Sequence, residues 1–312
     1  MRFICERDDL AKCISIVTRA MPARSPLSAL EGILIEAKGS SIKMRCSDMV
    51  LTIDSSFPAR VEQEGSLVLP GRLFSEMVRK LPAGEVSIAL KGELAIRIQF
   101  GKTKLTLHGM NSEEFPELDE SSIARPLDLR QGDLKDMIRQ TLFAVASDET
   151  KPILTGELLE VADGQFTVVA LDGYRLALRT EKLESNNEDV TFVVPSKSLS
   201  EISKLFEDDD STAKILIGDN HAVIEMGDTK VYTRLLDGEY IKYSNILPGE
   251  HNTRVRVDRA ALADSTERAS LMAREGKNNL IRVNISEETL SITANSEMGD
   301  VYEEIPINME GN

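Results

Sequence analysis

Lys12 and Arg19, Arg72 and Arg79, and Lys197 and Lys204 are cation pairs seven residues apart, and Lys135 and Arg139 are four apart. Seven residues are two helical turns, so on helices each pair would share one face. A row of such faces is chemistry for holding a phosphate backbone without reading bases. For one helix alone, an ordinary solvated face would explain the pattern; repetition over four helices favours one shared basic surface. Catalytic chemistry finds less support. Gly101-Lys102-Thr103 ends like a phosphate loop, but the position that needs an earlier glycine is Ile96, so a hairpin turn is expected. His108, His221 and His251 have no second ligand at metal spacing, and no Ser/His/Asp constellation emerges. The acidic run Asp208 to Thr212 lacks the glycine of a calcium loop and reads as a surface turn. Cys5, Cys13 and Cys46 are odd in number and form no CxxC pair, which fits reduced core residues. No catalytic residue, metal or cofactor is assigned.

The elements that must position these cations follow from apolar periodicity. Five segments carry apolar residues at three- and four-residue spacing: 9–20, 71–82, 132–146, 196–206 and 258–274. Together they hold 12 Lys+Arg against 8 Asp+Glu in a chain whose net charge is −15, so the helices are the basic part of an acidic protein. Between them the period is two, as for strands with one buried face, at Ile33 to Glu36, Ile42 to Cys46 and Leu51 to Ser55, and again at Val86 to Leu90, Ala95 to Phe100 and Lys104 to His108. Linkers are expected near 118–130 and 245–258, where Pro, Ser and charge cluster.

The pattern repeats. Ile42, Met44, Cys46 and Asp48 shifted by 124 become Phe166, Val168, Ala170 and Asp172, and shifted again become Leu290, Ile292, Ala294 and Ser296. Gly32 and Glu36 fall on Gly156 and Glu160. Each repeat reads as helix plus strands, twice over, and the 312 residues hold five such half-units, so the third repeat is expected to be incomplete. Domains are expected at 1–120, 127–247 and 253–312. No apolar stretch approaches the roughly 18 residues of a membrane span, and the charged start Met1 to Asp9 does not read as a signal peptide. A cytoplasmic protein is expected.

Several ordered segments resemble the bacterial sliding clamps, the beta subunits of replicative DNA polymerase III. They are Asp172-Gly173-Tyr174-Arg175-Leu176-Ala177, Phe115-Pro116-Glu117-Leu118, Leu134-Lys135 through Ala146 followed by Lys151 to Gly156, and Val193-Val194-Pro195-Ser196. The resemblance covers the whole chain. It implies an α+β fold, a tandem repeat of clamp domains in which helices line the inside and sheets the outside of a ring made by a head-to-tail dimer. It also implies that the C-terminal half of the third domain lies outside these residues. The implied function is a non-enzymatic processivity factor that encircles duplex DNA, independent of sequence, within the nucleoid. Implied partners are the DNA polymerase III alpha subunit, the clamp loader, and other polymerases and repair proteins that carry clamp-binding motifs.

By this resemblance Arg24 joins Lys12, Arg19, Arg72, Arg79, Lys135, Arg139, Lys197 and Lys204 as DNA-facing. A pocket for short peptide motifs would use Leu154, Leu171, Gly173, Tyr174, Arg175, Leu176, Ile241 and Ile246. Leu171 and Ile241 depart from the family's usual small hydroxyl residue and proline, which implies altered motif preference. At the dimer contact, Leu271 and Met272 would meet Leu105 and Leu107 of the other chain, and Lys102 and Lys104 would be steered by Glu297, Asp300, Glu303 and Glu304. The alternative is a truncated clamp-like module that binds peptides without closing a ring.

Overall fold

The computed structural model describes residues 1–118, 123–148, 150–183 and 188–311, and the side chains of 123–125 are not described. Residues 119–122 of the expected first linker lie outside these. Two compact units are present, Met1–Tyr240 and Ile241–Asn312, and each is considered by itself.

All five expected helices form: α1 (Arg7–Val17), α2 (Gly71–Arg79), α3 (Gln131–Thr141), α4 (Ser196–Ser203) and α5 (Arg259–Arg274). α1 buries Leu10, Cys13, Ile14 and Val17, the spacing that wraps an apolar stripe along one side, and Asp8 and Asp9 complement the positive dipole end in its first turn. α2 and α4 each start directly after a proline that closes a strand, Pro70 and Pro195. The Asp258 carboxylate caps α5 by accepting from the Ala261 amide at 2.8 Å. α3 stops earlier than its periodicity suggests, passing into a 3₁₀ turn at Leu142–Ala144.

In the first unit a five-stranded antiparallel sheet runs in the order Arg60–Gln63, Arg2–Glu6, Glu85–Leu90, Ala95–Phe100, Thr103–His108. A four-stranded sheet has the order Leu176–Lys182, Gln165–Leu171, Gly156–Ala162, Val190–Pro195. The third sheet has eight strands and joins the two repeats: Ile123–Arg130, Thr212–Gly218, His221–Met226 and Thr229–Arg234 continue into Leu51–Pro58, Ser41–Ser47, Gly32–Lys38 and Gly65–Pro70. At that seam Thr229 to Thr233 pair antiparallel with Ser55 to Leu51. The repeated glycines have a packing reason. A Cβ on Gly32 would come within 2.4 Å of Val68 Cγ1, and one on Gly156 within 2.5 Å of the Val194 carbonyl oxygen. The core beneath these sheets includes Phe3, Leu10, Phe74, Phe166, Leu199 and Ile202. Gly101, at φ 52°, makes the turn between Ala95–Phe100 and Thr103–His108 that the sequence suggested in place of a phosphate loop.

Cys5, Cys13 and Cys46 are buried free thiols. Burial pushes Cys5 and Cys13 up to about 12, so neither is a thiolate near neutral pH. The second unit places α5 over a sheet ordered Thr253–Val257, Gly299–Gly311, Thr289–Ser296, Arg282–Ile285, around Ala269, Ala273, Leu290, Ile292, Ile305 and Ile307. No helix among the described residues is long and apolar enough to cross a membrane.

Candidate nucleic-acid and peptide interfaces

The nine cations assigned to DNA are not equivalent. Arg19 Nη1 lies 3.2 Å and Lys204 Nζ 2.6 Å from the carboxylate of Glu201. Lys197 reaches Asp48 at 3.0 Å, across the seam between repeats. Arg72 pairs with Glu76 at 3.4 Å and Arg139 with Asp136 at 2.9 Å, each on its own helix. Lys135 is half-buried, bonded to the Phe206 carbonyl at 3.2 Å and paired with Asp208 at 2.7 Å, so it is the one most withdrawn from a ligand. Lys12, Arg24 and Arg79 are exposed, and no carboxylate among the described residues pairs with them.

The residues expected at a peptide site separate into a buried set and a displayed loop. Leu154 and Leu171 are 3% and 2% exposed, which makes them backing for a surface, while Leu176 is half-buried. The loop is built on Asp172. One of its oxygens accepts from the amides of Tyr174 and Arg175 at 3.0 and 3.1 Å, and the other accepts from Arg175 Nε at 3.0 Å. Those amide bonds, Tyr174's first, hold the Asp172 carboxyl below the usual range. Gly173, at φ 94°, supplies the left-handed turn that the loop needs. Asp48 makes the same turn in the first repeat, accepting from Val50 and Leu51, with Met49 bearing the positive φ.

This loop leaves Tyr174 fully exposed and holds the Arg175 guanidinium 5.6 Å from the centre of the Phe143 ring. Phe143, 60% exposed, escaped the sequence reading. Its signal was the repeat itself, because 124 residues earlier the chain has the cation Arg19. The turn carrying Phe143 is fixed beside Leu154 by the Ala146 amide, which donates to the Leu154 carbonyl at 2.9 Å. Ile241 and Ile246 belong to the second unit, half-buried and exposed respectively. A separate cavity of about 370 Å³ lies elsewhere in the second repeat, among Leu158, Phe192, Ile217, Leu236 and Tyr240.

Of the expected dimer residues, Leu105 is half-buried and Leu107 buried on Thr103–His108, the terminal strand of its sheet, with Lys102 and Lys104 exposed. In the second unit Leu271 is exposed and Met272 half-buried, its sulfur accepting from the Ser296 hydroxyl at 3.0 Å. Glu297, Asp300 and Glu304 are exposed, and Glu304 accepts from the Tyr302 hydroxyl. Glu303 is already paired within the second unit. Arg268 grips it in a two-pronged pair at 2.6 and 2.5 Å, pulling its carboxyl down to about 2.

Comparison with known proteins agrees with this architecture along the chain. The family description "DNA polymerase III beta subunit" matches in three parts: its N-terminal domain over residues 1–119, its central domain over 128–242 and its C-terminal domain over 244–312. The chain is 33% identical to the beta sliding clamp of Halalkalibacterium halodurans and 34% identical to that of Bacillus subtilis, in each case over 98% of this chain and 84% of the relative. The crystal structure of the Bacillus subtilis clamp superposes with a TM-score of 0.96 at 33% identity, over 100% of this chain and 85% of that one. The chain belongs to the DNA polymerase III beta subunit family, the bacterial sliding clamps.

Proposed function

We propose that the cations of α1 to α4 face duplex DNA inside a ring closed by a second copy of the chain, and that Tyr174, Arg175 and Phe143 receive peptide motifs of polymerases and the clamp loader. Membership of the family carries the general function: the chain is a replication processivity factor, an accessory subunit of DNA polymerase III with no catalysis of its own. The domains are read as 1–120, 127–247 and 253–312, and the protein as nucleoid-associated.

The observation that supports ring closure most is the seam in the eight-stranded sheet. There Thr229–Arg234, which follows a turn at Gly227, adds to Leu51–Pro58. Its counterpart in the first repeat, Thr103–His108, follows the matching turn at Gly101 and ends its sheet without a further strand among the described residues. The counterpart of Leu51–Pro58 in the third repeat is the start of Gly299–Gly311, whose residues 299–306 pair, among the described residues, on one side only, with Thr289–Ser296. Joining these two edges between copies would repeat the internal seam, with Lys102 and Lys104 approaching Glu297, Asp300, Glu303 and Glu304.

Topological linkage tests the reading. Chains loaded on circular duplex are expected to resist elution at high salt and to leave once the circle is cut. Equal retention on cut and uncut circles would refute encirclement.

A further inference from the structure

Glu201 is the only carboxylate among the described residues shared by two of the nine cations assigned to DNA. Its Oε2 meets Arg19, from the turn that follows α1, and its Oε1 meets Lys204, at the end of α4, at 3.2 and 2.6 Å. Arg19 and Glu201 belong to different repeats and are 182 positions apart. Arg19, Lys204 and Lys12 line one groove of about 640 Å³ together with Asp9, Glu207 and Asp228, with Ser55 and Thr229 of the inter-repeat seam in its wall. Two cations converging on the two oxygens of one anion is also how a phosphodiester is gripped. A phosphate held by the same two cations would have to displace this carboxylate. Burial works against its charge, but Lys204 and Arg19 outweigh that and hold it below the usual carboxylate range, so it stays ionised near neutral pH.

We propose that Glu201 is a built-in competitor for DNA phosphate: it keeps Arg19 and Lys204 in register across the two repeats while lowering the affinity of the site they form. This rests on the reading of the helix face as DNA-facing. Masking two cations lowers the electrostatic, sequence-independent affinity of the face for the backbone. The pairs Arg72–Glu76 and Arg139–Asp136 differ, because each carboxylate masks one cation of its own helix and organises nothing across the seam.

The test is fluorescence anisotropy with a labelled short duplex of arbitrary sequence, using the 312-residue chain and its Glu201→Gln variant between 50 and 200 mM salt. The variant is expected to bind roughly tenfold more tightly at the low end, with a salt slope steeper by roughly 0.9 for each phosphate gained. Adding Arg19→Ala to Glu201→Gln is expected to remove the gain. Equal or weaker binding by Glu201→Gln with an unchanged slope, accompanied by a lower melting temperature, would make Glu201 a brace between repeats and overturn the proposal. A triple variant Lys12→Ala, Arg24→Ala, Arg79→Ala separates the two levels. If it loses affinity while Glu201→Gln gains none, the competitor role alone falls; if it binds like the parent, the DNA-facing reading falls and takes this inference with it.

Discussion

In the second repeat the Thr141 hydroxyl lies 2.6 Å from the carboxylate of fully buried Glu157, at the two positions where the first repeat buries Val17 and Ile33. The other carboxylate oxygen has no hydrogen-bond partner among the described residues. Burial pushes the Glu157 carboxyl up to about 8, with the Thr141 bond opposing it, so the acid is mostly neutral at pH 7. The Thr141 hydroxyl, which donates to Glu157, also lies within donating distance of the Met137 carbonyl at 2.9 Å.

Stability is therefore expected to depend on pH through Glu157. Between about 4.5, where the carboxyl ionises when unfolded, and about 8, the native state keeps a proton that the unfolded chain has lost. The stabilisation is fully present below the lower value and declines with rising pH by up to about 1.4 kcal/mol per unit across this window. Urea unfolding of the parent and of Glu157→Gln at pH 5, 7 and 9 checks it. The variant should gain on the parent as pH rises, and parallel curves would assign the pH dependence to other groups.

Among the DNA-facing candidates, substitution by alanine should matter most at Lys12, Arg24 and Arg79, which are not already satisfied by a carboxylate. Each is expected to lower the salt slope of duplex binding by roughly 0.9, against a smaller change for Arg72→Ala or Arg139→Ala. Titrations across salt rank the five variants, and a larger loss at Arg72 than at Arg79 would reverse the assignment.

At the proposed peptide site, Tyr174→Ala is expected to weaken binding of a polymerase-derived motif peptide by about tenfold, and Arg175→Ala or Phe143→Ala by a similar amount. Tyr174 touches solvent on all sides, so its loss should leave the melting temperature unchanged. Calorimetric titration alongside thermal melting separates recognition from folding.

Leu105→Asp would place a charge on the terminal strand that the proposed closure uses. Sedimentation equilibrium is expected to show at least a tenfold rise in the dimer dissociation constant, with thermal melting run beside it because Leu105 also packs partly against the core. An unchanged dimer would remove Thr103–His108 from the interface.

Gly156→Val tests the close approach of neighbouring strands. Its side chain would meet the Val194 carbonyl at 2.5 Å, and a loss of about 1–3 kcal/mol is expected in unfolding free energy. Gly173→Ala, where φ is 94° but the space is open, should act through backbone strain and be milder, by about 1 kcal/mol.

Much of this was legible in the residues. Cation spacing and apolar periodicity located all five helices, and the offset of 124 that aligns Gly32 with Gly156 foretold one chain path traced twice. What the residues withheld was partnership. Asp48 and Lys197 are 149 positions apart and Glu201 and Arg19 are 182 apart, so nothing local announces that these carboxylates mask the cations. Glu303 looked free for the same reason, its partner Arg268 lying 35 residues upstream on a different element. Glu157 sits where strand periodicity calls for an apolar residue, and only its surroundings say that it goes inside nonetheless.

The seam between Thr229–Arg234 and Leu51–Pro58 is written in main-chain amides, which every residue type except proline supplies alike. The backbone pairing therefore sets the joint's geometry together with the buried Ile53 and Val231, and the Ser55 and Thr229 hydroxyls bond across it at 3.0 Å. That makes the joint tolerant of substitution wherever the side chain is not part of the core beneath it.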